Sequence, residues 1–293
     1  MDRLRRVVVL GVFLVSAVVT LRLEWPLAAS AQGGRVYVSI TDSKGAPQPG
    51  VAAADLAIEV NGKPAVVTSV APAAEPVSIV VVTEGIDRAL ISETRRMMKA
   101  VVTGARAIHP DSRVGLMVED GAAAPVMHDV TKGAAALDAA IVRFFESSRN
   151  APLLDSIFVA SRTLALESHA RRVIVAVTWG DAAPVDVMSP TKVAKAVRES
   201  GASLWALDLG GREAPLGTAE QRVLSDVTAT SGGRRERTTV ASITPLTERI
   251  LATLRGQYAI TFEDAFIAGT ASPKIAIRTK GLKVLAPGWP AER

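Results

Sequence analysis

Two hydrophobic patterns divide the chain. Over residues 35–70 and again after Gly256, apolar residues recur at every second position, as in half-buried strands. Between them, residues 76–255 alternate apolar runs with faces of helical period. The first of these runs, residues 77–82 (VSIVVV), stops at Thr83-Glu84-Gly85, and a helical pattern starts behind Asp87. Such a run is how a strand buried on both faces of a parallel sheet reads. In open α/β sheets, ligands bind at the carboxyl ends of these strands. The loop after Val82 therefore frames the functional question.

The same reading gives strands at 113–118, 125–130, 172–178 and 203–209, and a short edge strand at 237–240. Helical faces cover 88–108, 153–166, 189–200 and 243–255, with another behind a Thr131 cap (Leu137, Ile141, Phe144, Phe145) and one from Thr218 to the stop at Ser231-Gly232-Gly233. Ser189-Pro190 is an N-cap with proline at the first helical position, and Gly201 is a left-handed stop. In the flanks, strands fall at 35–41, 54–60 and 65–70, the last two joined by an Asn61-Gly62 hairpin. Beyond the core they fall at 257–263, 274–279 and 283–285. Neither flank buries its apolar faces alone, so the two are expected to pair. The fold class is α/β: a doubly wound, mostly parallel six-stranded sheet with a small discontinuous β subdomain made from both flanks. The expected segments are a leader at 1–31, β-subdomain parts at 34–72 and 257–289, and the α/β domain at 75–256.

Arg3, Arg5 and Arg6, an apolar run over 7–21 and Ala29-Ser30-Ala31 have the layout of a secretory signal peptide. The apolar run is shorter than the ~20 residues of a spanning helix. The expected location is exported, periplasmic or extracellular. The alternative is an inner-membrane anchor through residues 7–21. At 48% hydrophobic and 22% charged the chain is globular rather than disordered. It has no cysteine, which excludes disulfides, thiolate metal sites and cysteine nucleophiles. The net charge is +5, two units of it from residues 1–31, and the remainder calls for no nucleic-acid partner.

The order of these pieces resembles the von Willebrand factor A-like family, in its bacterial secreted branch. The matching stretches are residues 36–64, PVSIVVVT, LLDSIFVASRTL, RRVIVAVTWGD, LSDVTATSGGR and LRGQYAITF. The resemblance implies strand order 3-2-1-4-5-6 with 125–130 as the antiparallel edge. It also implies a metal-ion-dependent adhesion site: a D-x-S-x-S loop after the first strand, a Thr from a second loop and an Asp after the fourth strand. Mg²⁺ takes near-octahedral oxygen ligands, and a vacant position accepts an acidic group from the partner.

Here those positions hold Thr83, Gly85, Asp87, Ala151 and Trp179. Gly and Ala offer no side-chain oxygen, and Trp offers only an N–H. The site is degenerate, with too few oxygens for a dedicated divalent cation. A displaced site built from Asp87, Asp155 and Asp181, with Glu84, is the competing reading. The simpler reading has Asp87 capping the first helix, Asp155 in the first turn of another, where the dipole favours it, and Asp181 in a polar turn.

Catalytic motifs G-x-S-x-G, G-x-x-x-x-G-K-[ST] and H-E-x-x-H are absent. His109, His128 and His169 read as surface or capping residues, and Arg234, Arg235 and Arg237 as a solvated basic loop. The expectation is a non-enzymatic protein-interaction module without cofactor or metal. Its partner surface is expected at Glu84, Arg88, Asn150, Trp179 and Asp181. A structural scaffold of an envelope assembly and a hydrolase with an unrecognised site are the alternatives.

Overall fold

Residues Val77–Thr83 form β5, and all seven are buried. A computed structural model of the chain describes residues 34–60, 62–83, 91–117, 125–147, 152–178, 188–209, 219–263 and 273–288, with 134 and 143–147 by backbone only. In it β5 lies between β6 (Arg113–Leu116) and β8 (Arg171–Thr178), parallel to both. Beyond β8 come β9 (Ser203–Asp208) and β10 (Arg235–Arg237), each parallel to its neighbour. Beyond β6, β7 (Met127–Asp129) runs antiparallel. The order across the sheet is β10-β9-β8-β5-β6-β7. Numbered within the central unit and read from β7, that is 3-2-1-4-5-6.

Alternation along the strands sends side chains to two cores. Val77, Ile79, Val81, Val173, Val175, Val177, Trp205 and Leu207 face one side. There α1 (Ile91–Ile108), α2 (Ala134–Ser147) and α7 (Ile243–Arg255) cover them with Met97, Met98, Val101, Leu137, Ile141, Ile250 and Leu254. Val80, Val82, Ile174, Ala176, Leu204 and Ala206 face the other side. They meet α3 (Leu153–Ala165), α4 (Pro190–Ser200) and a helix that begins as α5 (Ala219–Arg222), loosens into a π-turn at Val223–Val227 and ends as α6 (Thr228–Thr230). Each buried Val, Leu, Ile or Met contributes about 1.5–3 kcal/mol, so this two-sided burial is the main source of stability. α1 and α7 approach closely at Gly104, where an added Cβ would lie 2.9 Å from the Leu251 Cβ. Glu93 ties the same helices together, accepting from Thr244 Oγ1 at 2.8 Å and from Arg96.

The flanks do pair. β1 (Arg35–Thr41) lies between β11 (Tyr258–Phe262) and β13 (Lys283–Leu285), and β4 (Val67–Pro72) lies outside β11. A second sheet holds β12 (Lys274–Ile277), β2 (Leu56–Val60) and β3 (Lys63–Pro64). Val38, Ile40, Leu56, Ile58, Ile260 and Phe262 fill the space between the sheets. β1 and β2 come from one end of the chain and β11 and β12 from the other, so this module is closed by both flanks together.

Several local expectations are corrected. The hairpin at Gly62, with φ 77°, returns only into β3; the strand expected at 65–70 starts two residues later and crosses to the other sheet as β4. The edge strand expected at 237–240 is β10, two residues earlier, while Val240–Ser242 is a 3₁₀ turn. Thr131 does not cap α2. Its hydroxyl donates to the Pro110 carbonyl at 3.2 Å, and the carbonyl of Gly133 opens the helix by accepting from Leu137 N–H at 2.8 Å. Ser189 and Gly201 act as expected: Ser189 accepts from Lys192 N–H, and Gly201 is left-handed at φ 66°.

At the amino end of the sheet, Arg171 is 2% exposed and joins the two modules. It donates to the Glu75 carbonyl at 2.8 Å, to the Leu254 carbonyl and to Gln257 Oε1 at 3.0 Å. Arg171 and Arg35 both lie over the ring of Tyr37 from β1, 5.9 and 5.4 Å from its centre.

His169 belongs to the same end and is not an ordinary surface residue. Its Nδ1 lies 3.0 Å from the hydroxyl of Ser78, which is fully buried. That hydroxyl has one proton and reaches Glu167 Oε2 at 3.3 Å, so His169 Nδ1–H is assigned as donor to Ser78. Arg113 Nη1 holds Glu167 from the other side at 2.7 and 2.8 Å. Burial holds the His169 pKa below its usual value; Glu167, Asp129 and Asp111 pull it up, and Arg113 pushes it down. A depressed histidine favours the neutral form in the fold, so the unfolded chain binds the extra proton first. Stability is then complete above the unfolded pKa of about 6.5 and falls as pH drops through the folded value. Urea unfolding at pH 7.5 and pH 5.5 checks this: the native chain should lose more stability than His169→Asn, and an equal loss in both would contradict it.

Candidate partner-binding edge

The strands bring buried polar residues to their carboxyl ends. Thr83 ends β5, Thr178 ends β8 and Asp208 ends β9, with exposures of 8%, 4% and 6%. Thr83 pairs with Val177, and Thr178 with Asp208, so the three ends lie side by side. The Leu209 N–H continues the ladder one step further, donating to the Thr178 carbonyl at 2.8 Å. Of the positions that the resemblance assigns to a degenerate metal site, Thr83 alone is described. Gly85, Asp87, Ala151 and Trp179 lie outside the described residues, as do Glu84, Arg88, Asn150 and Asp181.

Asp208 stands at this edge, and the sequence reading did not single it out. Its Oδ2 accepts from Arg235 Nε at 3.1 Å and also from Arg235 Nη2. Arg235 goes on to Ser225 Oγ at 3.0 Å and Gln221 Oε1 at 2.5 Å, and Arg237 Nε stands 4.0 Å from the same carboxylate. Arg235 is therefore no part of a solvated loop. It comes up from β10 and locks the π-turn of the α5–α6 helix against the end of β9. Arg234 is likewise paired, with Glu236 at 2.7 Å. The usable signal was an Asp ending the apolar strand SLWALDL, followed by a strand of sequence RER.

Asp155 also has a structural task. From the first turn of α3 its Oδ1 accepts the Met188 N–H at 2.9 Å, fixing the chain just ahead of the Ser189 cap of α4. Both carboxylates hold parts of the frame to each other. Among the described residues, no three His, Asp or Glu side chains gather in a metal-ligand cluster. A cleft of about 480 Å³ lies away from this edge, between α1 and α7, floored by Ala100, Gly104 and Ala252.

No family model matches the chain, and no curated protein does. Solved structures do. BatB from Bacteroides thetaiotaomicron, a conserved hypothetical protein, is 17% identical with a TM-score of 0.40, over 60% of this chain and 98% of that one. The SpRpn10 VWA domain is 13% identical with a TM-score of 0.41, over 61% and 93%. The PilB minor pilin from Streptococcus sanguinis is 9% identical with a TM-score of 0.42, over 62% of each chain, less than two thirds of the pilin's length. At these TM-scores the likenesses assign nothing to this chain.

The central unit is a doubly wound, mostly parallel sheet of order 3-2-1-4-5-6 with one antiparallel edge, as the resemblance to the von Willebrand factor A-like family implies. In that fold β5 is the first strand and β8 the fourth, so Thr83 stands at the carboxyl end of the first strand and Thr178 at that of the fourth. The central unit carries its β module at the opposite, amino end, where Arg171 joins them.

Proposed function

We propose that the chain is an exported, non-enzymatic protein-interaction module that binds a protein partner through the loops at the carboxyl edge of its sheet, without metal. Glu84, Arg88, Asn150, Trp179 and Asp181 supply the contacts. Gly85, Asp87, Ala151 and Trp179, with Thr83, stand where the family's cation ligands would be, and leave recognition to side chains. The observation that carries this reading is the fate of the carboxylates at the frame: Asp208 is bound by Arg235 and Asp155 by the Met188 N–H. A guanidinium beside a buried carboxylate neutralises the charge that a divalent cation would need. The signal-peptide layout of residues 1–31 supports export, and among the described residues no helix is long and apolar enough to cross a membrane.

Site-specific photocrosslinking in the intact envelope tests the proposal. A crosslinker at position 88, 150 or 181 should give the same discrete protein adduct, unchanged by a chelator, while one at Ala107 on α1 should not. Adducts at every position alike, or adducts lost on chelation, would contradict it. If no adduct forms and Trp179→Ala lowers stability instead, the scaffold reading takes its place.

A further inference from the structure

α1 and α7 lie side by side and carry six Arg and Lys against Glu93 and Glu248. That is an excess of four charges, where the whole chain beyond residue 31 has an excess of three. The basic surplus of the folded chain therefore sits on this one helical layer. Arg95, Arg96, Lys99 and Arg106 fall on the outer face of α1, and Arg249 and Arg255 are exposed on α7.

Elsewhere arginines hold the frame: Arg113, Arg171 and Arg235 all bind acceptors on other elements. On this layer Arg106 does so too, donating to the Val130 carbonyl at 2.6 Å. Lys99, Arg249 and Arg255 have no such task, and their side chains make no hydrogen bond or ion pair with the described residues. Glu93 is 9% exposed and holds Arg96, which leaves Glu248 as the exposed acid of the two helices. The cleft floored by Ala100, Gly104 and Ala252 runs between them, with Arg96 and Lys99 on one rim and Arg255 on the other. From Arg96 to Ala107 this rim is about 16 Å long at 1.5 Å per residue. A small anion needs donors that converge on one point. Cations spread along an apolar furrow instead fit a surface that offers many anionic heads together with apolar groups.

We propose that the outer face of α1 and α7 docks on an anionic phospholipid bilayer. Lys99 and Arg255 meet headgroup phosphates, and an apolar part of the bilayer interface fills the cleft between them. Binding at such a surface draws on charge and on buried apolar area together. The N-terminal layout, with Arg3, Arg5 and Arg6 ahead of an apolar run over 7–21, brings the same chain to a membrane. This face is a side of the sheet and the carboxyl edge an end of it, so the docking stands whether or not a protein binds that edge.

Flotation of the purified full chain with lipid vesicles tests this. The native chain should float with phosphatidylcholine vesicles that contain phosphatidylglycerol, and not with phosphatidylcholine alone. It should be released as salt rises from about 50 to about 500 mM. K99E/R255E should bind at least about tenfold more weakly, since each basic residue at such a surface is worth roughly fivefold in affinity. K192E/K195E changes the net charge equally, but on α4 across the sheet, and should stay within about threefold of the native chain. Matching thermal melts would show both variants folded. Equal weakening of the two variants would reduce the effect to net charge. Equal binding to neutral vesicles would assign it to residues 7–21, and retention of duplex DNA or polyglutamate but not of vesicles would give the face to another polyanion. Each of these results would overturn the proposal, as would a native chain that binds no vesicle.

Discussion

Arg171→Met is expected to lower stability by about 3 kcal/mol. The substitution keeps roughly the volume and removes the donors. The Glu75 carbonyl and the Gln257 side chain then lose this donor, and the Leu254 carbonyl is left with backbone donors alone, Gln257 N–H at 3.3 Å among them. A buried acceptor left unsatisfied costs about 1–3 kcal/mol. Part of that loss is offset, because burial already disfavours the charged guanidinium and holds the Arg171 pKa below its usual value. At about 2–4 °C per kcal/mol for a unit of this size, the melting midpoint should fall on the order of 10 °C. Arg171→Lys should recover less than half, since one ammonium cannot reproduce the guanidinium's fork. A fall of less than ~1 kcal/mol would show that the seam between the modules is held by something else.

Gly233→Ala should cost more, on the order of 4 kcal/mol, and reduce the yield of folded protein. A Cβ at Gly233 would lie 1.8 Å from the Leu204 carbonyl oxygen and 2.5 Å from its carbon. Both are backbone atoms of a buried strand, so no side chain can turn aside. β10 would have to move away from β9, breaking the Ala206 N–H bond to the Arg234 carbonyl and the clamp of Arg235 on Asp208. Gly201→Ala is the internal control. It is left-handed with open space around it, so only the ~1 kcal/mol backbone preference is lost. Equal effects at the two positions in urea unfolding would show that the close approach at Gly233 is not limiting.

This pair of glycines also shows where the sequence is silent. Ser231-Gly232-Gly233 reads as a helix stop, and Gly232, with φ 80°, fits that role. Nothing local says that the next glycine exists to let a backbone pass. The core strands were legible because burial on both faces leaves an uninterrupted apolar signature, as in VSIVVVT and RRVIVAVT. β10 has the opposite character. RER is held by Arg235 on Asp208 and Arg234 on Glu236, ion pairs with residues that no periodicity marks. Arg171 was hidden in the same way: an arginine ahead of a strand looks like a solvated end until Leu254 and Gln257 are seen to fold over it. The Asn61-Gly62 turn marks a hairpin, but where its second strand goes depends on β11, almost two hundred residues on. At the candidate edge the resemblance located Thr83 and the positions around it, whereas Asp208 needed the fold, because its partner lies on another strand.

The account depends on how the carboxyl edge treats a divalent cation. Isothermal titration calorimetry of the purified chain with Mg²⁺ and Mn²⁺ reads this directly. Thr83, Gly85, Asp87, Ala151 and Trp179 offer one hydroxyl and one carboxylate between them, too little for an octahedral ion, so no saturable heat should appear up to millimolar metal. One-to-one binding at micromolar concentration, lost in Asp87→Ala, would contradict the account.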